Sequence, residues 1–187
     1  MTRSRARLCA AALAAALAVA AAPAAARAEL APDTSGVHDW TRPTTWLTAG
    51  LGVGSCGLGM NASLCHHWGM HVLAARVAGT TNIPTDIFGE ENQLWSAGLL
   101  YGAGLFRPAY ALWVGAGLGV SGGKHQPEVR FFEPDRTRHV DTGLSFPLEL
   151  QAIAGIGKGR NLGISLWADL NSRESFGGVS LIGALAH

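Results

Sequence analysis

The segment that decides the fold is SFGGVSLIGALAH, residues 175–187. Apolar side chains occupy alternate positions at Val179, Leu181 and Leu185, and the chain then stops at His187. A period of two is typical of a β-strand with one apolar face, whereas a helix would repeat at three and four. The segment therefore predicts a final strand with an intact apolar face.

Seven earlier segments have the same period of two. They occupy residues 45–55, 58–66, 70–79, 93–106, 109–122, 140–155 and 161–171. The eight strands are near the length that a tilted strand needs to cross a bilayer, and their even number suits a closed barrel. We therefore predict an all-β fold, an eight-stranded antiparallel up-and-down transmembrane barrel.

The N-terminal region has the pattern of a secretory signal peptide. Three arginines within residues 1–7 precede an alanine-rich stretch over residues 8–22, and an A-x-A cleavage site follows at residues 26–28. The apolar stretch is shorter than the roughly 20 residues that a transmembrane helix needs. We expect residues 1–28 to be a cleaved signal, 29–44 a flexible mature N-terminus and 45–187 the barrel.

The charge balance argues against nucleic acid as a partner. Removal of the signal takes away four arginines and no acidic residue, so the formal net charge falls from +1 to −3. No later stretch has the length and composition of a transmembrane helix. A membrane location would therefore require a closed barrel.

The connections between the predicted strands alternate in length. Those at residues 67–69, 107–109 and 157–160 are tight, whereas two of the opposite set, 80–93 and 122–139, are long. Short turns on the periplasmic side and longer loops outside are typical of outer-membrane barrels. This pattern favours the outer membrane as the location.

The two faces of each strand leave a soluble alternative open. A soluble periplasmic barrel that binds an apolar ligand would have the same alternation, with its apolar face inside. The second face here is rich in glycine and serine and poor in charge, which favours the membrane barrel. Aromatic residues near the predicted strand ends suggest interface girdles: Trp46, Trp68, Trp95, Phe106, Tyr110 and Phe176.

Glycines on the second face predict a filled interior. An eight-stranded barrel is just wide enough for side chains to fill, and glycines beside Trp113 and Trp167 leave room for the rings. No pore is expected. Arg76, Glu149 and Asp169 are predicted to form a charge cluster inside.

Residues 45–187 resemble the small eight-stranded outer-membrane β-barrel proteins of Gram-negative bacteria, within an uncharacterised family. The resemblance rests on the segments WLTAGLGVGS (46–55), SAGLLYGAGL (96–105), GLSFPLELQA (143–152) and GISLWADLNSRESFGGVSLIGALA (163–186). It implies contact with outer-membrane lipid and the barrel assembly machinery, a monomer, and no established activity. Such barrels usually end on an aromatic residue, where this chain has His187.

Two cysteines remain in the mature chain, Cys56 and Cys65, and an exported protein meets an oxidising compartment. A hairpin centred between Met60 and Asn61 would place them opposite each other, so a disulfide is predicted. A hairpin shifted by two residues would separate them.

No metal or cofactor site is predicted. Glycine-rich segments such as residues 50–54 lie between strands, whereas a nucleotide fingerprint needs a helix after its strand. The cluster most like a metal site comprises Cys65, His66, His67 and His71. A predicted turn at residues 67–69 interrupts the strand, so these side chains would not all lie on one face and converge on a metal ion.

An enzymatic function is the alternative, in which the barrel would modify lipids. A deacylase of that type uses a serine, a histidine and an acid. The nearest candidates are His139 with Asp141 and Ser145, or Ser172 with Glu174. Nothing in the sequence holds them together, so we expect no enzyme and no catalytic residue.

The long loop at 122–139 is the strongest candidate for surface binding. Its basic groups could pair with lipopolysaccharide phosphates, and its two adjacent phenylalanines could anchor a partner. The candidate residues are Lys124, Arg130, Phe131, Phe132, Arg136 and Arg138. We predict a structural or surface-binding role through outer loops 80–93 and 122–139.

Overall fold

The computed structural model describes residues 38–82, 92–125, 138–156 and 160–187. The strands in these ranges are β1 (Thr44–Gly54), β2 (Gly57–Trp68), β3 (His71–Thr81), β4 (Gln93–Arg107), β5 (Tyr110–His125), β6 (Arg138–Gly155), β7 (Asn161–Leu170) and β8 (Phe176–Ala186). The part of the chain that the structure describes has no helix long and apolar enough to span a membrane.

The strands close into one antiparallel barrel in chain order. The last strand pairs with the first, with Leu185 opposite Leu47 and Val179 opposite Val53. The pairing continues beyond β8, where the N–H of His187 donates to the carbonyl oxygen of Thr45 at 2.9 Å. The predicted all-β, eight-stranded, antiparallel barrel is therefore confirmed.

The barrel is apolar outside and polar inside. The outward positions of β1 and β8 carry Leu51, Leu181 and Leu185, with 64%, 65% and 71% of their surface exposed. The alternate positions point inward and are buried, as at Thr48 and Ser180. A soluble barrel would have the reverse arrangement, because water solvates a polar outer face. The outer surface is therefore one that lipid would cover.

The two ends of the barrel differ in their connections. The loop end carries the connections at 55–56, 82–92, 126–137 and 171–175, and the turn end carries those at 69–70, 108–109 and 156–160. Gly69, with φ +61°, occupies the tight turn between β2 and β3 in a conformation that suits glycine. The predicted contrast between tight and long connections is present.

The turn end is closed from inside by the chain before β1. Trp40 is fully buried and its ring meets that of Trp46 edge to face, with centroids 5.5 Å apart. The Trp46 ring meets Phe106 in the same way at 6.2 Å. Residues 38–43 belong to the segment that the sequence predicts to be flexible, and within them Trp40 is buried in the core while residues 41–43 are exposed. The remainder of that segment and the predicted signal, residues 1–37, lie outside the described ranges.

Three of the six predicted girdle aromatics face inward. Trp46 and Phe176 are buried, and Phe106 packs against the turn-end core. Trp68 and Trp95 do lie on the outer surface. A residue near a strand end can point to either face, and its odd or even position along the strand decides which. The predicted outward position is therefore wrong for Trp46, Phe106 and Phe176.

The room that glycine leaves for the interior tryptophans is visible on two strands. A Cβ on Gly115 would lie 2.7 Å from Cζ3 of Trp113, and one on Gly178 would lie 2.7 Å from Cζ2 of Trp167. On Gly178 the same atom would also meet the carbonyl oxygen of Val53 at 2.7 Å. The predicted filling of the interior by large rings thus depends on neighbouring glycines, which have no side chain.

We expect Gly178→Ala to destabilise the barrel by about 1–3 kcal/mol, because the added methyl group overlaps both a ring and a strand backbone. Gly183→Ala on the same strand is the matched control, since nothing lies within 4 Å of its Cβ position. Its effect should stay within about 0.5 kcal/mol. Urea unfolding in lipid vesicles measures both. Equal losses would contradict the packing described for Gly178.

Candidate functional site: the polar interior and the loop-end rim

A buried ion pair crosses the barrel from β3 to β7. Arg76 Nη2 donates to Asp169 Oδ2, and both side chains are fully buried. Ser96 donates to the same oxygen at 2.7 Å, Ser145 donates to Oδ1 at 3.3 Å, and Arg76 Nη1 donates to the Leu148 carbonyl at 2.8 Å. These further bonds offset the cost of removing two charges from water.

A second carboxylate, that of Glu149 on β6, is held by neutral donors. Asn61 Nδ2, Ser165 Oγ and Gln151 Nε2 donate to Oε1 at 3.1, 2.8 and 2.8 Å. Ser63 donates to Oε2 at 2.9 Å. The donors come from β2, β6 and β7, so this carboxylate ties three parts of the barrel wall together.

The remaining polar interior extends from these two groups. Gln151 Nε2 also donates to Thr48 Oγ1 at 3.1 Å, and Trp113 Nε1 donates to Gln151 Oε1 at 3.0 Å. Trp167 Nε1 donates to Ser180 Oγ at 3.1 Å. The interior is therefore a hydrogen-bonded polar band between an aromatic turn-end core and a smaller loop-end core.

The structure brings the three predicted interior charges into this band. Arg76 and Asp169 form a pair, whereas Glu149 bonds to amide and hydroxyl donors. The alternation of faces along each strand is enough to predict that these charged residues point inward. The partners of each could not be predicted, because they lie up to 93 residues away in the chain.

The predicted disulfide between Cys56 and Cys65 is wrong. The hairpin turns at residues 55–56, between Gly54 and Gly57, and Cys65 lies opposite Trp46 near the other end of β2. At about 3.3 Å per residue, nine positions put the two cysteines well over 20 Å apart. A disulfide needs Cα atoms within about 7 Å.

The histidine and cysteine cluster is also divided. Cys65 and His67 are buried inside the barrel, whereas His66 and His71 are exposed on its outer surface. Neighbouring strand residues point to opposite faces, so the wall separates the two pairs. Within the described ranges, no group of three or more potential ligands of this kind converges on a metal position.

The candidate catalytic residues are separated in the same way. Ser145 is buried and bonded to Asp169, whereas Asp141 is exposed and paired with Arg173 at 2.7 Å. The side chain of His139 lies outside the description. Ser145 and Asp141 therefore do not belong to one site.

The loop-end rim contains a shallow polar cleft between β4, β5 and β6. Its lining residues are Gln93, Trp95, Gly123, Lys124, Val140, Asp141 and Thr142. The register of β5 against β6 shifts between Ser121 and Gly123, just before Lys124. Of the predicted surface-binding residues, Lys124 is exposed on this rim, and Arg138 begins β6. Arg130, Phe131, Phe132 and Arg136 lie outside the described residues.

Sequence reasoning missed the aromatic core at the turn end. His67 stacks on Phe106 with centroids 3.8 Å apart, and His38 meets Trp40 edge to face at 4.9 Å. Burial lowers the pKa of His38, which favours the neutral ring against the tryptophan. Trp40 lies before the first periodic segment, so no pattern connected it to the barrel.

We expect Arg76→Met to destabilise the protein by about 3–5 kcal/mol, because it leaves Asp169 buried without its counter-ion. The double variant Arg76→Met/Asp169→Leu should recover much of that loss, since it removes both charges. Urea unfolding in lipid vesicles, followed by tryptophan fluorescence, provides the measurement.

The matched control is Arg173→Met, which breaks an arginine–aspartate pair that is exposed at the loop end. Its loss should be below about 1 kcal/mol, because water solvates the remaining Asp141. Equal losses of stability in Arg76→Met and Arg173→Met would contradict the burial of the Arg76–Asp169 pair.

Several outer-membrane barrels of known structure are similar to this chain. The N-terminal β-barrel domain of Pseudomonas aeruginosa OprF matches with a TM-score of 0.54 and 9% identity, over 78% of this chain and 98% of that one. Neisserial surface protein A gives 0.52 and 12%, over 76% and 96%. Ail, the attachment invasion locus protein of Yersinia pestis, gives 0.52 and 13%, over 78% and 99%.

No protein-family model and no curated protein matches the sequence. The identities to the solved structures are low, so the likeness concerns the fold. The chain has the eight-stranded β-barrel fold of these outer-membrane proteins, and its apolar outer surface agrees with a location in the outer membrane.

Proposed function

We propose that this protein is a closed outer-membrane barrel with a structural and surface-binding role at its loop end. One observation carries the proposal: an apolar outer wall surrounds an interior filled by bonded polar side chains. The wall suits lipid, and the filling leaves the exposed ends as the surfaces open to other molecules. We further propose that the barrel is a monomer inserted by the barrel assembly machinery.

The filled interior supports the absence of a pore. Arg76, Glu149, Gln151 and Trp113 are all at least 98% buried and project from three strands into the same lumen. Eight strands enclose little more than the volume of such side chains. Side-chain hydrogen bonds also cross the lumen, from Arg76 to Asp169, from Asn61 to Glu149 and from Gln151 to Thr48, so these side chains do not swing aside independently.

The loop-end cleft supports a role in binding phosphorylated sugars of lipopolysaccharide. Trp95 is 40% exposed and provides an apolar ring in the cleft that Lys124 also lines. Gln93, Asp141 and Thr142 add amide, carboxylate and hydroxyl groups that suit sugar hydroxyls. An ammonium group binds phosphate as a point charge, which favours an anionic sugar over a neutral one.

The loop after this cleft extends the proposed surface. Arg130, Phe131, Phe132, Arg136 and Arg138 follow Lys124 in sequence, and we propose that they contact lipopolysaccharide or a partner. One Ail structure holds the heparin analogue sucrose octasulfate. For this chain we propose the same compound as a competitor, because it carries many anionic groups on sugar rings.

The two other candidate functions find less support. A soluble barrel with an apolar ligand would need an apolar lumen, whereas Arg76, Glu149 and Asp169 are buried there. A lipid-modifying enzyme would need a serine close to a histidine and an acid. Ser145 and Asp141 do not belong to one site, so the proposal includes no catalytic step.

We expect the purified protein to give no steady ion conductance in planar lipid bilayers, because buried and bonded side chains of the described strands fill the narrow lumen. A sixteen-stranded porin in the same bilayer is the positive control. Stepwise currents that scale with the amount of inserted protein would contradict a closed barrel.

We expect Lys124→Glu to weaken binding of purified lipopolysaccharide by roughly tenfold, since a charge-assisted contact becomes repulsive. Trp95→Ala should weaken it to a smaller extent. Arg160→Glu, which reverses an exposed charge at the turn end, is the matched control and should have no effect. Titration against the protein in detergent, with sucrose octasulfate as competitor, gives the affinities. Equal effects of Lys124→Glu and Arg160→Glu would reject the loop end as the binding surface.

A further inference from the structure

A row of aromatic and histidine side chains crosses the outer surface at the turn end. His66 and Trp68 lie on β2, His71 on β3 and Tyr101 on β4, and all four side chains are exposed. We call these four residues the histidine row. They share the outward face with the leucines of the apolar wall, and neither the ion pair nor the loop-end cleft involves them.

The four rings form one continuous stack. His66 and Trp68 have centroids 5.8 Å apart with 27° between their planes, and Trp68 and His71 have 6.0 Å and 29°. His71 and Tyr101 continue the stack at 5.9 Å and 20°. The rings therefore support one another across three strands, which fixes the direction of each imidazole.

Two hydroxyl groups hold the imidazoles from one side. His66 Nδ1 lies 2.8 Å from Thr45 Oγ1, and His71 Nδ1 lies 2.7 Å from the hydroxyl of Tyr101. When the hydroxyl groups of Thr45 and Tyr101 donate to these Nδ1 atoms, each neutral imidazole carries its proton on Nε2. Both histidines then present an Nε2–H donor to the surroundings of the barrel.

The surroundings at this level are the edge of the membrane. Leu64, Leu73 and Leu99 lie on the same three strands and the same face, with 53%, 48% and 63% of their surface exposed. The histidine row is continuous with the turn-end part of this apolar wall, and Leu73 lies opposite both His66 and Tyr101 in the strand register. Headgroups begin where the hydrocarbon ends, and amphipathic rings are enriched at that depth.

The stacked rings occupy β2, β3 and β4, whereas the outward strand residues near the turn end of β6, β7 and β8 are Ala154, Leu162 and Leu185. Exposed donors at the turn end of β7 and β8, Arg160 and His187, lie just outside those strands and have no ring partner among the described stacks. An aromatic girdle that only anchors the barrel by burial would have no need for imidazoles held by both rings and hydroxyl groups. The combination of stacking and hydroxyl contacts in the row points to a specific occupant.

We propose that the histidine row binds phosphate headgroups of phospholipids in the leaflet at the turn end. His66 and His71 each donate from Nε2 to a phosphate oxygen, and because Trp68 separates them they serve two neighbouring lipids. Phosphate oxygens are strong acceptors, and hydrogen bonds to a charged acceptor exceed those to neutral ones. Thr45 and Tyr101 are positioning residues, since they act through the imidazoles.

The test uses the full-length mature protein in dodecyl maltoside micelles, a detergent without phosphate, with ¹⁵N-labelled histidine. Titration with dihexanoylphosphatidylglycerol should shift the Nε2 signals of His66 and His71 in a saturable manner. The signal of His38, which is packed against Trp40, should not move. Dihexanoylglycerol, which has the same chains and no phosphate, should leave all three unchanged.

Variants separate binding from folding. His66→Gln/His71→Gln should weaken the lipid affinity by roughly tenfold, because hydrogen bonds to a charged group are lost. Affinity is measured by the lipid-dependent change in tryptophan fluorescence. Tyr101→Phe keeps the stack and removes the hydroxyl, so it should change the tautomer signature of His71 and weaken its shift alone. Heat-modifiable migration on gels confirms that each variant is folded.

Three outcomes would overturn the proposal: no shift with the phospholipid, an equal shift with dihexanoylglycerol, or an equal shift with sodium phosphate at the same concentration. The last would show a site for free phosphate in place of a lipid. None of them would affect the membrane location, which rests on the apolar wall and does not involve the histidines.

Discussion

The structure depends on one constraint, which is that a strand in lipid must satisfy every backbone N–H and C=O within the protein. The pairing of β8 with β1 meets it, from Trp46 opposite Ala186 to Gly54 opposite Gly178. Without that pairing two strands would present free edges to hydrocarbon. The closing strand is therefore as apolar on its outer face as the strands in the middle of the sheet.

Closure also determines the chemistry inside. Eight strands leave a narrow lumen, so each inward position must hold a side chain that fits its neighbours across the barrel. Glycine at residue 178 leaves room for Trp167, and the arginine at residue 76 reaches across to Asp169. The charges are acceptable there because each is hydrogen-bonded. The same filling leaves the two rims and the outer surface as the places where other molecules bind.

The wall separates side chains that are close in sequence. Cys65 and His67 face the lumen, while His66 and Trp68 face outward. A run of histidine and cysteine that resembles a metal site in sequence is therefore divided into an interior aromatic core and an exterior row of donors. On the outer surface, hydroxyl groups of β1 and β4 contact the imidazoles of His66 and His71.

The sequence by itself determined the strand number, the antiparallel order and the face of almost every residue, because a period of two is a local property that parity carries along each strand. It also identified Arg76, Glu149 and Asp169 as interior charges. Only the tertiary structure decided their partners, the burial of Trp40 and the separation of Cys56 from Cys65. Each of these depends on the register between strands and on turn positions. Register brings together residues that are distant in the chain, and no local pattern encodes which of them will meet.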